Sequence, residues 1–326
     1  MRTAIIGGGA AGCFAAVNIK RMMPEADVTV FEAGDRLLAK VAITGGGRCN
    51  LTNSFRDISN LADAYPRGAS LMKKLFKRFG HEETCRWFED MGVRLVVQED
   101  QCVFPASQDA MEIVNVLIRA MRESGVKVRT KARVKGLEQV QNSWKIMSDN
   151  AGETFDSVLV TTGGCTGTGW QALFSGLDLE IVSPVPSLFS MKIDDPALKE
   201  MMGTVVEDAT VSIPGTKFRG CGPLLVTDWG LSGPAILKLS SAAARYLSEN
   251  SYQSGLIVNW FGEMNAEEIG TMLKVLATAN PKKLISNAFP DIFNARRWKY
   301  FLCKMNIPQE MRWAETRART INRIAE

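Results

Sequence analysis

The chain opens on an apolar run, Ala4-Ile5-Ile6, followed by a glycine-rich turn and a second apolar stretch from Ala10 to Ile19. That succession predicts a buried strand, a tight turn and a helix. A further run, Val28 to Phe31, predicts a second strand ending at Glu32. The periodicity then lapses through Asn60 in a stretch rich in Gly, Asn, Thr and Ser, and connections of that length tend to be functional. Helical spacing returns at Leu71 to Phe79 and Glu82 to Met91, with a short strand predicted at Val93 to Val97. Asp109 is placed to cap a helix whose Ile113, Val116, Leu117 and Ala120 share one face and which ends near Gly125. Alternation at Val126 to Arg129, Ala132 to Gln139 and Trp144 to Met147 predicts a meander, and Phe155 to Thr162 a strand centred on Val158 to Val160.

Beyond Pro184 the character changes, and from Ser187 to Val226 alternation dominates, punctuated by prolines and glycines, which predicts a small β-rich unit. A helix is expected after Gly233-Pro234, carrying Ile236, Leu237 and Leu239. A strand from Leu256 to Phe261 follows, then helices from Ala266 to the end.

Composition narrows the chemistry. At 326 residues the chain has room for two or three domains, and 46% hydrophobic with 23% charged residues is ordinary for a soluble protein. No run reaches the roughly 18 apolar residues of a membrane span, so no membrane association and a cytoplasmic location are expected. Seven cysteines, at 13, 49, 85, 102, 165, 221 and 303, form no C-x-x-C pair and suit a reducing compartment. His81 is the single histidine, in a polar segment where it reads as a surface or capping residue. Multi-histidine zinc sites and Ser-His-Asp hydrolysis are therefore disfavoured, no metal is expected, and hard chemistry must come from a cofactor. The net charge of +4 is uneven: Pro281 to Glu326 holds ten Lys or Arg against four acids. Such an end is either a solvated helix face or an RNA-binding surface spanning 282–323.

The first turn carries a specific pattern. Gly7, Gly9 and Gly12 satisfy G-x-G-x-x-G, and Glu32 lies 20 residues beyond Gly12 at the end of the second predicted strand. Gly7 permits the turn, Gly9 lets a pyrophosphate approach bare backbone, and Gly12 lets the helix pack close. The helix start with Ala10 and Ala11 offers amides to a diphosphate, and Glu32 suits an unphosphorylated adenosine ribose. Gly167-Thr168-Gly169 lacks the strand and the spaced acid, so it offers no second dinucleotide fingerprint.

A second cluster, Lys40 to Asn53 (K-V-A-I-T-G-G-G-R-C-N-L-T-N), resembles the G-G-G-R-C-N-x-T-N signature of the BaiN/YhiN-like, or aminoacetone-oxidase-like, FAD-binding flavoproteins. Val103 to Ser107 with Ala110, Thr161 to Gly164, Pro184 to Phe189 and Gly222 to Ser240 resemble further family segments, so the likeness covers the whole chain. It implies an α/β fold: a Rossmann-like FAD-binding domain (1–186), an inserted β-rich, barrel-like domain (187–261) and a helical domain (262–326). It also implies reduction of activated carbon-carbon double bonds in steroid-like substrates or of uracil in ribosomal RNA. Asp228 stands where many members have His. Members also continue into a segment that closes over the flavin, so the expectation includes a truncated, inactive flavoprotein.

The expected cofactor contacts are Gly7, Gly9, Ala10, Ala11, Gly12, Glu32 and Ala33 at the ADP half. Lys40, Thr44, Gly45, Gly46, Gly47, Arg48, Cys49 and Asn50 are expected along the flavin, with Val134 at the adenine and Thr162 and Gly163 beside the first turn. Bare glycine amides suit a flat ring and its carbonyl oxygens. Arg48 and Cys49 are the catalytic candidates: Arg48 either stabilises negative charge or ties down its loop, and Cys49 is either a redox thiol or a packed small residue. NAD(P)H is expected as a transient reductant. The readings carried forward are an FAD-dependent reductase of an enone-like small molecule, a ribosomal-RNA-binding protein docking through its basic helices, and, disfavoured, an NAD-dependent dehydrogenase.

Overall fold

The computed structural model describes residues 1–148, 151–164 and 169–326; Cys165 and Gly167-Thr168 lie outside the described residues. The chain divides into two compact units, Met1–Pro184 and Val185–Glu326. Among the described residues no helix is long and apolar enough to cross a membrane.

Among its described residues the first unit holds ten strands: β1 (Arg2–Ile6), β2 (Asp27–Phe31), β3 (Thr52–Asn53), β4 (Leu95–Val97), β5 (Cys102–Pro105), β6 (Lys127–Arg129), β7 (Val134–Val140), β8 (Ser143–Ser148), β9 (Ala151–Phe155) and β10 (Ser157–Val160). Its centre is a four-stranded parallel sheet in the order β10-β1-β2-β6. Side chains alternate across it as strand geometry requires. Ile5, Val28 and Val30 join Cys13, Ala16 and Val17 of helix Ala10–Met22 and Ile113 and Leu117 of helix Ala110–Glu123. Ala4, Ile6 and Phe31 instead pack with Leu137, Ile146 and Phe155 of the antiparallel meander β7-β8-β9. The result is three layers, helices on one face and a meander on the other. Asp109 caps the second helix as its sequence predicts, its Oδ1 accepting from the Met111 amide at 2.8 Å.

Three local readings change. Lys127–Arg129, expected in the meander, pairs in parallel with β2 and completes the main sheet. The strand expected across Phe155 to Thr162 is broken at Asp156, whose carboxylate accepts from the Arg2 amide at 2.6 Å and so turns the chain from β9 into β10. Cys102–Pro105, which periodicity did not mark, is the middle strand of a small sheet ordered β3-β5-β4.

The second unit contains β11 (Met191–Lys192), β12 (Val205–Ser212), β13 (Arg219–Val226), β14 (Gly230–Ser232) and β15 (Ile257–Asn259) in one antiparallel sheet, order β11-β14-β13-β12-β15. Helix Pro234–Ala242 packs on it through Ala235, Ile236 and Leu239. Gly220 permits the approach, since a Cβ there would lie 2.2 Å from the Ala235 carbonyl oxygen. Helices Ala266–Ala279, Ala295–Lys304 and Ala318–Ala325 enclose a separate core around Trp298 and Trp313. The indole N–H of each is satisfied by a carbonyl, Trp298 by Ile285 at 2.7 Å and Trp313 by Ala288 at 2.8 Å. A buried indole needs such a partner.

Candidate functional site

The site is built at the carboxyl ends of β1, β2 and β10, where open parallel sheets place their ligands. Gly7 has φ +109°, and a Cβ on it would sit 2.4 Å from the Thr161 carbonyl oxygen. A Cβ on Gly12 would sit 2.0 Å from the Gly7 carbonyl oxygen. Both glycines are thus demanded by packing. Gly9 is different: nothing lies within 4 Å of where its Cβ would be. Packing does not require a glycine there, and the bare backbone leaves space against the turn for a ligand. Ala10 and Ala11, exposed in the first turn of the helix, keep its positive end open.

Glu32 is part-buried at the end of β2, and each carboxylate oxygen accepts one amide: Oε2 from Gly8 at 2.8 Å, Oε1 from Gly34 at 2.6 Å. An ionised carboxylate has acceptor capacity beyond those two bonds, which leaves room for ribose hydroxyls. Ala33 is exposed beside it. The chain after β6 is tied to the same place, with the Ala132 amide donating to the Glu32 carbonyl at 2.9 Å and the Lys131 amide to that of Gly34 at 2.7 Å. Val134 follows at the start of β7. Thr161 Oγ1 donates to the Gly7 carbonyl at 2.9 Å, so Thr162 and Gly163 lie next to the first turn. Lys40 reaches this loop, its Nζ 4.0 Å from the Cβ position of Gly163.

The second glycine cluster is joined to the first. The Leu38 amide donates to the Gly8 carbonyl at 2.8 Å, and a short 3-10 turn, Val41–Ile43, leads into Thr44–Gly47. Gly45, Gly46 and Gly47 all have positive φ (59°, 69° and 82°), as does Cys49 (61°). Gly45 is held by packing, a Cβ there lying 2.7 Å from the Asn50 amide nitrogen, whereas Gly46 and Gly47 face open space. Three successive left-handed residues are accessible only to glycine at low cost, and they leave backbone bare on one side. A flat polar ring fits such a surface.

Arg48 lies 4.5 Å above the Phe104 ring centroid, and its Nε donates to the Gly45 carbonyl at 3.2 Å. Its guanidinium therefore braces the loop while its side chain stays exposed. Cys49 is buried in the main core beside Val41, and burial pushes its thiol upward, so it holds its proton. Cys13, whose Sγ lies 3.4 Å from the Gly8 carbonyl oxygen, is pushed up to about 12 by burial and then by the nearby Glu32 charge. Asn50 and Asn53 donate to the sulfur of Cys102 at 3.2 and 3.5 Å, stitching the motif to β5.

Sequence reasoning did not single out Gly8, Gly34, Thr161, Phe104 or Gln108 as part of the site. Gly8 is the middle residue of Gly7-Gly8-Gly9, and a Cβ on it would lie 2.2 Å from Leu37 Cδ2, so the third glycine was a signal. Gln108, whose Oε1 accepts from Arg48 at 3.5 Å, had none. Among the described residues no group of His, Cys, Asp and Glu is arranged to hold a metal ion.

The chain is 26% identical over 320 residues to the 3-dehydro-bile acid delta(4,6)-reductase of Clostridium scindens, covering 94% of this chain and 77% of that protein. It is 27% identical over 254 residues to the ribosomal RNA dihydrouridine synthase of Haemophilus influenzae, covering 73% of this chain and 60% of that one. Among solved structures, Thermovibrio ammonificans THI4 aligns with a TM-score of 0.33 at 12% identity, over 49% of this chain and 55% of that one, a likeness too low to carry an argument. Residues 1–183 match the HI0933-like protein Rossmann domain and residues 185–326 the HI0933-like protein barrel and H2TH domain. With both matches together spanning almost the entire chain, it belongs to the HI0933-like family.

Proposed function

We propose that this chain is an FAD-dependent oxidoreductase that reduces a carbon-carbon double bond made electron-poor by conjugation to a carbonyl. The observation that carries the cofactor half is the contrast within the two glycine clusters: Gly7, Gly12 and Gly45 are fixed by packing, while Gly9, Gly46 and Gly47 face open space. Gly9, which neither packing nor φ requires to be glycine, and Gly46 and Gly47, whose left-handed backbone leaves their amides bare, lie on two loops tied through Leu38 and fit a dinucleotide with a flat ring at one end. When bound and reduced by a separate hydride donor, the flavin of FAD would supply a hydride from N5 to an electron-poor carbon.

The chain's own residues bind and orient. The amides after Gly9 and the positive end of helix Ala10–Met22 receive the diphosphate, with Lys40 nearby as a counter-charge. Glu32 would accept from the ribose, and the backbone leading to Val134, tied to Glu32 through Ala132, would hold the adenine. The Gly45–Gly47 turn would hold the flat ring, and Arg48, braced on Phe104, would supply positive charge to it. Cys49 stays protonated and packs the loop rather than attacking substrate.

The names of the relatives support the choice of substrate class. One is named a delta(4,6)-reductase of a 3-dehydro-bile acid and the other a dihydrouridine synthase, and both names describe adding hydrogen across a double bond conjugated to a carbonyl. The substrate here is accordingly an enone-like small molecule or uracil within RNA, with NAD(P)H as a visiting reductant. The test is anaerobic: photoreduced protein is mixed with a conjugated enone, with uridine in RNA, or with a saturated ketone. Flavin absorbance returning with either unsaturated compound supports the reading, and return with none of them, or equally with the ketone, overturns it.

A further inference from the structure

Helix Ala69–Phe76 of the first unit carries an apolar stripe that the core does not use. Met72 and Phe76, one turn apart, are half-buried, and the Phe76 ring lies 5.5 Å from that of Phe55 and 5.9 Å from that of Tyr65. Leu71 and Leu75, also one turn apart, are 60% and 47% exposed and join none of the apolar core clusters. The turn continues beyond the helix, because the Arg78 and Phe79 amides both donate to the Leu75 carbonyl, at 2.9 and 3.0 Å. Phe79 thereby extends the leucine stripe, 41% exposed with its ring 5.4 Å from that of Phe14. The rest of the surface bears Lys73, Lys74, Lys77 and Arg78, all exposed. At about 3.6 residues per turn Lys74 and Arg78 directly border the leucines.

No acid occurs from Ala64 to His81, and the first ones beyond, Glu82 and Glu83, face Arg86. Among the described residues none of the four bases has an acid at ion-pair distance. Bases toward a helix C-terminus favour its dipole, so the charge alone selects no partner. Single exposed apolar side chains are equally ordinary. The combination is selective: the leucine stripe calls for an apolar partner and the bases along its border for an anionic one. The surface of an anionic bilayer offers both side by side. A second copy meeting this face would bring the four bases of each chain together without an acid, and a neutral protein groove would leave them unmatched. Spanning a bilayer requires a long apolar helix, which no described helix here is, whereas lying on one requires only an amphipathic face with bases beside it. The helix is already folded on the body of its unit, so binding orders little new chain.

We infer that Leu71, Leu75 and Phe79, with Lys74 and Arg78 along their border, form a peripheral attachment site for an anionic lipid surface. The helix lies in the plane of the interface, its leucines entering the boundary between headgroups and acyl chains and its bases staying among the phosphates. The attachment is shallow and reversible, since three apolar side chains bury little, and it is sensitive to salt.

The test sediments the full chain with vesicles of phosphatidylcholine mixed with phosphatidylglycerol, and with vesicles of phosphatidylcholine alone. Two double variants divide the site, Leu71→Gln/Leu75→Gln and Lys74→Gln/Arg78→Gln. A third, Lys282→Gln/Lys283→Gln, removes the same charge from another exposed basic segment. The chain is expected on the mixed vesicles, less so as salt rises, and not on the neutral ones. Loss of Lys74 and Arg78 is expected to weaken binding about thirtyfold at low salt. Loss of the two leucines is expected to weaken it about tenfold or more, while the Lys282 variant binds as the parent does. The urea midpoint of the leucine variant stays level, because those side chains join no core cluster, whereas a purely structural stripe would lower it. Absence of binding to the mixed vesicles, equal binding to the neutral ones, or an equal loss in the Lys282 variant overturns the inference. So does a leucine variant that keeps its vesicle binding, or that loses only self-association or affinity for oligouridine. None of these readouts involves flavin, so their failure is distinct from failure of the cofactor reading.

Discussion

At the scale of single residues the account turns on glycines that look alike in sequence and differ in what surrounds them. Gly12→Ala drives a Cβ to 2.0 Å from the Gly7 carbonyl oxygen, a backbone atom that cannot give way, and is expected to cost about 1–3 kcal/mol or more as overpacking, read as a lower urea midpoint. Gly9→Ala meets nothing within 4 Å and is expected to leave the midpoint of the ligand-free chain unchanged while weakening FAD binding by tenfold or more, about 1.4 kcal/mol, by titration calorimetry. A fall in stability for Gly9→Ala with unaltered binding would mean that the turn is only a turn. Glu32→Ala strips the amides of Gly8 and Gly34 of their acceptor, an expected loss of about 1–3 kcal/mol in the same unfolding assay. The positions of these residues were legible because each glycine and the spaced acid answer a local demand of chain geometry. That Gly12 serves close packing was legible; that packing holds Gly45 but not Gly46 or Gly47, and that Arg48 would spend its guanidinium on Phe104 and Gly45, was not, since these depend on loop conformation and on a ring 56 residues away.

At the scale of elements the sequence spoke clearly where a periodic run was long and capped. Helix Ala110–Glu123 begins at its Asp109 cap and buries the expected Ile113, Val116, Leu117 and Ala120. It misled where an element is short and its partner distant. Lys127–Arg129 has three exposed side chains and no periodicity that could distinguish a meander from the edge of a parallel sheet, and only pairing with β2 decides. Cys102–Pro105 ends in a proline, which speaks against a strand, yet it is paired on both sides. One side chain binds two elements of the second unit in a way the sequence did not announce. Asp195 Oδ1 caps helix Pro196–Lys199 through the amides of Ala197 and Leu198, while Oδ2 accepts from Tyr300 at 2.9 Å and Lys304 at 2.5 Å. The hydrogen bond from Lys304, then that from Tyr300, hold its carboxyl below the usual range despite partial burial. Its stabilisation is therefore present above the ordinary carboxylate pKa and is lost as pH falls through the lowered value. Asp195→Ala is expected to cost about 1–2 kcal/mol from the cap alone, and Asp195→Asn, which keeps a capping oxygen, less; urea unfolding at neutral and acid pH would order them, with the gap from wild type closing in acid.

At the scale of the whole molecule, burial sets the alkaline limit. The Cys13 thiol rises from 9.0 to about 12, and burial pushes Cys49 and Cys85 in the same direction. Groups whose pKa is raised by folding give stability that is complete below the unfolded value and is lost as pH climbs toward the folded one. Stability should thus decline from about pH 9 upward, by up to about 1.4 kcal/mol per pH unit for Cys13, and Cys13→Ala should make that decline shallower in denaturant titrations between pH 8 and 11. The family itself was legible in the chain, because Lys40 to Asn53 is a long contiguous motif. The substrate was not, since it depends on surfaces that no local pattern assembles. The central claim is that two tied glycine loops hold FAD, and the visible absorption spectrum of the purified chain titrated with FAD tests it most directly. The account predicts a shifted, saturable flavin spectrum with cofactor released intact on denaturation, and a much weaker response in Gly9→Ala. A chain that leaves the spectrum of free FAD unchanged at every concentration would contradict it.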